Sequence, residues 1–405
     1  MNADVDGVVP LVQRDFSALP QTQQKQVIAD AANELQASLN LSEGPLLRVA
    51  LFHLGCNQQR LLIVIHHLAV DGVSWRILLE DLQRSYEQIC CSQRIQLASK
   101  TTSFKQWAEQ LQAYAQADAF KQELNYWQQE LQQPIASLPV DFPGGENTMA
   151  KAQIVSVALS PEETQALLQE VPQAYNTQIN DVLLTALAQT FAQWQGMDCL
   201  LVDLEAHGRE AFSESIDLSR TVGWFTAVFP VVLKVSPDSH PGEALKTVKE
   251  QLRRIPNQGM GYGIWRYLRG DEAAQVLQAL PQAEVAFNYL GQFDQSLSSS
   301  SLFQFAPESS GRVYSPQETL PYLLEINGMV SAGQLRLEWS FSQQIYQSAT
   351  VEKLAVGYID ALRSLITHCQ SPDAGGFTPS DFAEFQQSQW NQADLDAITA
   401  VIRGM

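Results

Sequence analysis

Leu61-Leu62-Ile63-Val64-Ile65-His66-His67-Leu68-Ala69-Val70-Asp71-Gly72 decides how this chain of 405 residues is read. Its apolar start has the length of a strand, and the lack of alternation suits a central sheet strand covered on both faces. Beyond Gly72, Trp75, Leu79, Leu82, Tyr86 and Ile89 recur at spacings of four, three, four and three, which predicts an amphipathic helix. Ser74 stands just ahead of that periodic run, where a capping residue belongs. The two histidines therefore lie in a strand-to-helix connection, a place where sheet proteins often carry function. Alternation sends their rings to opposite faces. One can pack as structure while the other faces a cleft. Imidazole titrates near neutrality and suits general acid–base work. Asp71 can orient a ring or pair with a cation, and Gly72 can relax a turn. The pattern alone leaves two readings open: a catalytic histidine, or one satisfied by backbone hydrogen bonds in a tight loop.

Working outward, residues 22–39 read as a polar-faced helix. Leu46 to Leu54 reads as a strand, turning at Gly55-Cys56-Asn57 into the strand from Arg60 to Ile65. Trp107, Leu111, Leu124, Trp127 and Leu131 mark a helix with a break. Residues 133–150 hold Pro134, Pro139, Pro143, Gly144 and Gly145 and look like a crossover between halves. Ile154 to Leu159 alternates as a strand. Ile179, Val182, Leu183, Ala186, Leu187, Phe191 and Trp194 predict a helix with a buried face. Further strands are expected at Cys199–Leu204, Val228–Val235 and Val285–Leu290, with Pro230 placing the second at a start or an edge. Residues 295–301 read as a Ser-rich loop. Leu335, Leu337, Trp339 and Phe341 alternate as a half-buried strand. Val351, Leu354, Tyr358, Leu362 and Leu365 form a last helix before a polar tail from Ser380 with weak helical pattern. The mixture predicts an α/β fold, sheets covered by helices.

Composition narrows the function. A net charge of −19 argues against nucleic acid and against an anionic membrane surface, both of which need clustered Lys and Arg. No apolar run is long enough to span a bilayer, and Met1-Asn2-Ala3-Asp4 opens no signal region. The chain reads as soluble and cytoplasmic. Cys56, Cys90, Cys91, Cys199 and Cys369 form no metal-binding or disulfide spacing and read as free, buried or half-buried thiols.

Two more constellations stand at strand ends. In Asp203-Leu204-Glu205-Ala206-His207-Gly208-Arg209-Glu210, Glu205 becomes an acid–base candidate if burial raises its pKa. Arg209 can pair with Glu210 or Asp203, and a plain salt-bridged turn is the competing reading. No ligand spacing joins His207 to the His loop, so no metal site is expected. In Phe287-Asn288-Tyr289-Leu290-Gly291-Gln292-Phe293-Asp294, Asn288 and Tyr289 put an amide and a phenol on opposite strand faces. Either can donate to a carbonyl or a developing oxyanion, or simply fill a sheet. Gly259-Met260-Gly261-Tyr262-Gly263 lacks the Lys-Ser/Thr of a P-loop and is not read as a nucleotide site.

These motifs, in this order, resemble the epimerization domain of non-ribosomal peptide synthetases, a branch of the condensation-domain superfamily. The shared signature is the His-His-x-x-x-Asp-Gly loop. Condensation domains usually continue Asp-Gly with Trp-Ser, whereas this chain has Gly72-Val73-Ser74-Trp75. Glu205 to Glu210, Thr221-Val222-Gly223-Trp224-Phe225-Thr226, Gly261-Tyr262-Gly263-Ile264 and Phe287 to Phe293 also look like the epimerization type. The likeness covers about Leu46 to Phe382. Ala206 stands where the family usually has Gly. The family normally opens with a further strand and helix, and this chain begins beyond that segment.

The resemblance implies two chloramphenicol-acetyltransferase-like lobes in a V with a central tunnel. Residues 1–160 would form the N-terminal lobe, incomplete at its start, and 161–371 the C-terminal lobe. Residues 372–405 would be a tail towards a following module. It implies L-to-D inversion of an aminoacyl or peptidyl thioester. The chain would bind no cofactor of its own, and the phosphopantetheine arm would arrive on a carrier protein. That carrier and adjacent synthetase modules are the expected partners. His67 and Glu205 match the family's catalytic pair. Asn288, Tyr289, Ser74 and Trp75 would contact the substrate or intermediate, while His66, Asp71, Gly72, His207 and Arg209 would support the site. A condensation-type acyltransferase and a non-catalytic carrier-docking remnant are the alternatives.

Overall fold

The computed structural model describes residues 10–117, 121–210, 215–270, 272–292, 302–382, 392–395 and 397. By its contacts the chain forms two compact units. Unit 1 comprises Met1–Trp107, Arg209–Phe225 and Leu297–Glu318, and unit 2 comprises Ala108–Gly208, Thr226–Ser296 and Thr319–Met405. Neither unit is continuous in sequence.

In unit 1, β1 (Leu11–Asp15), α1 (Gln21–Ala37), β2 (Leu47–Gly55), β3 (Gln58–Ile65) and α2 (Gly72–Cys90) follow one another, with Phe104 and Trp107 supplied by the start of α3 (Phe104–Ala115). The sheet order is β1-β2-β3, β1 parallel and β3 antiparallel to β2. Cys56 and Asn57 join β2 to β3 with φ of 50° and 58°. Positive φ at both turn positions matches the twist that a two-residue hairpin needs. Ala50, Phe52 and Leu54 pack from one face of β2 against Ile28, Ala31 and Leu35 of α1.

Four expectations change here. β3 ends the described sheet instead of lying in its middle, so Leu61 is exposed and Leu62, Ile63 and Ile65 are half-buried. Asp71, not Ser74, caps α2: its carboxylate accepts from the Ser74 amide at 2.7 Å, and Ser74 itself is fully buried inside the first turn. The apolar stripe of α2 is only partly covered, with Trp75, Leu79 and Leu82 half-buried and Tyr86 and Ile89 exposed. The cysteines are free, but Cys56, Cys90 and Cys91 are exposed rather than buried.

Unit 2 is built on a six-stranded sheet in the order β4-β9-β8-β7-β5-β6. Its strands are β4 (Ala152–Ala158), β5 (Cys199–Ala206), β6 (Ala227–Lys234), β7 (Val285–Gln292), β8 (Leu324–Ser331) and β9 (Gln334–Ser342). Its helices are α4 (Lys121–Leu131), α5 (Pro161–Gln169), α6 (Val171–Tyr175), α7 (Ile179–Gln195), α8 (Pro241–Arg253), α9 (Met260–Gly263), α10 (Glu272–Ala279) and α11 (Ser348–Cys369). β5, β7 and β8 run parallel, and the remaining pairs are antiparallel. Pro230 lies within the edge strand β6, where a missing donor is tolerated. Leu204, Phe287, Ile326 and Trp339 point to one face and are buried. Trp339 meets Phe191 of α7 and Tyr358 of α11 at ring-centroid distances of 6.4 and 5.8 Å. The register puts Asp203, Ala286 and Glu325 in one row of the opposite face, with Asn288, Asn327 and Glu338 in the next. Among the described residues no helix is long and apolar enough to cross a membrane.

Lys249 of α8 ties down the segment beyond α11. Its ammonium donates to both oxygens of Asp381 at 2.7 and 2.8 Å and to the Tyr175 carbonyl at 2.8 Å. Burial pushes the Asp381 carboxyl up, but donors from Lys249, the Thr378 amide and Asn176 outweigh it and hold it below the ordinary value. A carboxyl depressed on folding stabilises above its unfolded pKa, and that contribution is lost as pH falls through the folded pKa. Urea unfolding should therefore move to lower denaturant as pH drops below about 4. Asp381→Asn should flatten that part of the dependence, and a parallel curve would exclude this pair as its source.

Candidate functional site

In unit 1 the His loop is a short 3-10 turn, His67–Ala69, between β3 and α2. His66 is half-buried, and its Nδ1 accepts from the Leu68 amide at 3.2 Å, which opens the turn. His67 is exposed. Its ring meets Trp224 edge-on, with centroids 5.1 Å apart and planes at 66°.

Asp71 turns inward and is 4% exposed. Arg209 Nη2 donates to its two oxygens at 2.8 and 3.0 Å, and the Phe225 amide donates to Oδ2 at 3.3 Å. Arg209 Nη1 donates to the carbonyls of Leu218 and Thr221 at 3.0 and 2.8 Å, and its guanidinium lies 4.2 Å from the Phe225 ring centroid. Of the readings open to Asp71, pairing with a cation is the one the structure adopts. Arg209, weighed with Glu210 or Asp203, also reaches a carboxylate 138 residues away in sequence.

Ser74 is held by the backbone of a distant segment. Its buried hydroxyl donates to the Gly223 carbonyl at 2.9 Å and accepts from the Gly223 amide at 3.1 Å. Its role here is to pin residues 221–225 to α2. Trp75 is half-buried in the first turn of α2. Gly72 supplies no special turn: its φ lies outside the left-handed region, and a Cβ there would meet nothing within 4 Å. Gly223 is the glycine that matters, because a Cβ would fall 2.2 Å from Phe104 Cδ2. Gly223→Ala should cost about 1–3 kcal/mol through overpacking. Urea unfolding should show a lower midpoint, and an unchanged midpoint would mean that Phe104 moves aside freely.

In unit 2, Glu205 is exposed near the end of β5, so the burial on which its acid–base reading depends is not found, and Asn288 is half-buried on β7. Leu204 and Phe287 are register partners, so the next residues emerge side by side. Asn288 Nδ2 donates to Glu205 Oε2 at 2.7 Å. A carboxylate so held keeps its orientation through a charge-assisted bond. Tyr289 is half-buried, and burial pushes its phenol up. His207 is exposed in the coil after β5.

Sequence reasoning missed Tyr322. It donates its hydroxyl to Asp203 Oδ2 at 2.9 Å, two residues before Glu205 on the same strand. Burial pushes Asp203 up, partly offset by Tyr322 and Arg266. No periodic pattern marks Tyr322, which precedes β8 in coil. Gly259 has a φ of 84° and abuts Phe229, giving the Gly259–Gly263 stretch a packing role. Phe293, Asp294 and residues 295–301 lie outside the described residues.

The family model described as Condensation domain matches residues 9–387. The chain belongs to the condensation-domain family. One of the linear gramicidin synthase proteins of Brevibacillus parabrevis is 50% identical over 382 residues, 93% of this chain and 7% of that protein. Gramicidin S synthase 1 of Brevibacillus brevis is 38% identical over 388 residues, 94% of this chain and 35% of that protein. The chain thus spans a small part of the relatives it matches. The crystal structure of the epimerization domain from the third module of tyrocidine synthetase B superposes with a TM-score of 0.82 at 37% identity. That match covers 89% of this chain and 80% of the other. The first condensation domain of the CDA synthetase, at 20% identity and a TM-score of 0.59, shares the fold. The α/β fold and the family expected from the ordered motifs are both found. Within that fold, the His-loop aspartate serves as an ion-paired helix cap.

Proposed function

We propose that this condensation-family chain inverts the α-carbon of an aminoacyl or peptidyl thioester held on a carrier protein's phosphopantetheine arm. The observation that carries the reading is Glu205 held by Asn288 at 2.7 Å, an oriented carboxylate near the end of β5. The 37% identity to an epimerization domain supports it. A thioester acidifies the neighbouring α-proton. One group takes that proton, the C–H electron pair moves into the enolate, and a second group returns a proton to the other face. We assign these roles to His67 and Glu205, with Asn288 and Tyr289 as contacts of the intermediate. The carrier and neighbouring modules are the proposed partners, and the pantetheine comes with the carrier.

The test is an L-aminoacyl carrier thioester incubated with the chain in deuterated water. The expected result is α-deuterium together with D-isomer at equilibrium. Folded protein that gives neither overturns the proposal. Peptide formation between supplied donor and acceptor carriers would assign the chain to condensation chemistry instead.

A further inference from the structure

Thr221-Val222-Gly223-Trp224-Phe225 alternates strictly between buried and exposed residues: Thr221, Gly223 and Phe225 are buried, Val222 and Trp224 exposed. That is the pattern of an extended segment with one face anchored. The anchors are numerous. Thr221 Oγ1 donates to the Thr102 carbonyl at 2.6 Å, Gly223 exchanges two hydrogen bonds with the Ser74 hydroxyl, and the Phe225 amide reaches Asp71. The Phe225 ring is also wedged between the Arg209 guanidinium and the rings of Phe104 and Trp107, whose centroids lie 5.2 and 6.0 Å away. Such anchoring leaves the outward Trp224 little freedom of position. Trp224 is 41% exposed, yet its indole meets the His67 ring edge-on at 5.1 Å. A large aromatic left in solvent gains little from burial, so its contact with the imidazole is the feature that needs an account.

We propose that Trp224 is a positioning residue that fixes the orientation of the His67 imidazole. The inference rests on the epimerization reading for its consequence in catalysis and on unit 1 alone for its geometry. Asp71 joins the two sides: the same carboxylate caps the helix after the His loop and receives the Phe225 amide next to Trp224. Histidine and bracket are thus built from one buried network. Removing the indole lets the ring rotate, and small misplacements of a reacting group carry rate penalties of up to about a hundredfold.

The experiment compares Trp224→Ala, Trp224→Phe and Val222→Ala in the full chain, by α-deuterium incorporation from a carrier thioester and by NMR of ¹⁵N-labelled histidine side chains. Trp224→Ala should lower kcat by about tenfold to a hundredfold with KM nearly unchanged. Trp224→Phe should recover most of that loss, and Val222→Ala should match wild type. The His67 ring signals, identified by their absence in His67→Gln, should shift in Trp224→Ala alone. Wild-type kcat in Trp224→Ala overturns the proposal, as does a loss of rate carried by KM. If the wild-type chain exchanges no α-proton, the epimerization reading is what fails. The NMR then decides the bracket by itself: displaced His67 signals support it, and unchanged signals overturn it.

Discussion

Glu205→Gln is expected to lower epimerization by about 10²–10⁴-fold, the usual contribution of a positioned acid–base group. The substitution is nearly isosteric. The new amide oxygen can still accept from Asn288 Nδ2, which now bonds Glu205 at 2.7 Å. Unfolding and carrier binding should therefore stay close to wild type, so the loss can be read as chemistry. His67→Gln should show a loss of similar size. The two variants should differ in what survives. If each group serves one face of the α-carbon, one variant exchanges the proton of the L-thioester without inverting it, and the other does so with the D-thioester. Deuterium incorporation into isolated L- and D-substrates, read by mass spectrometry, separates these outcomes. Full activity in Glu205→Gln would remove Glu205 from the reaction. Residual exchange of the same isomer in both variants would mean that neither His67 nor Glu205 alone is the base for that isomer.

The second large effect is on stability. Asp71→Ala should cost about 3–5 kcal/mol, because it removes the buried carboxylate that pairs with the Arg209 charge. The side chains of Arg209 and Asp71 are 8% and 4% exposed, so water does not replace what is lost. The same change removes the cap of α2 and the acceptor of the Phe225 amide. A drop in the urea midpoint checks the prediction. Asp71→Ala combined with Arg209→Met should recover part of the loss, since the buried charge is then gone. A double variant no better than the single one would assign the cost to the cap and the amide instead.

Much of the fold was legible because its elements carry strong local patterns. The hairpin of β2 and β3, the α7 and α11 helices, and strands β5, β7 and β9 all follow from periodicity. β1 escaped because Leu11-Val12-Gln13-Arg14-Asp15 has only two apolar residues. β8 escaped because Gly328 takes an inward position and Met329 an outward one, which breaks its apolar alternation. Among the candidate residues, His67 in unit 1 and Glu205 and Asn288 in unit 2 were readable as residue types at strand ends. Their supports were not. The bonds of Arg209 to Asp71 and of Ser74 to Gly223 span 138 and 149 residues, and no local spacing announces partners so far apart. The misassigned cap has the same origin. Both Asp71 and Ser74 suit a helix start, and the long-range bond from Ser74 to Gly223 leaves the cap to Asp71.

The return of Arg209–Phe225 to unit 1 also constrains how such a chain can be recombined. A gene fragment ending at Trp107 would encode Asp71 but not its cation, Ser74 but not its glycine, and His67 but not its tryptophan. Chimeras between related synthetases that change parents anywhere between Gly72 and Phe225 would pair a His loop from one lineage with a brace from another. Crossovers that keep these two stretches from a single parent should express and fold more reliably than crossovers that split them, even where each half is more similar to its new neighbour.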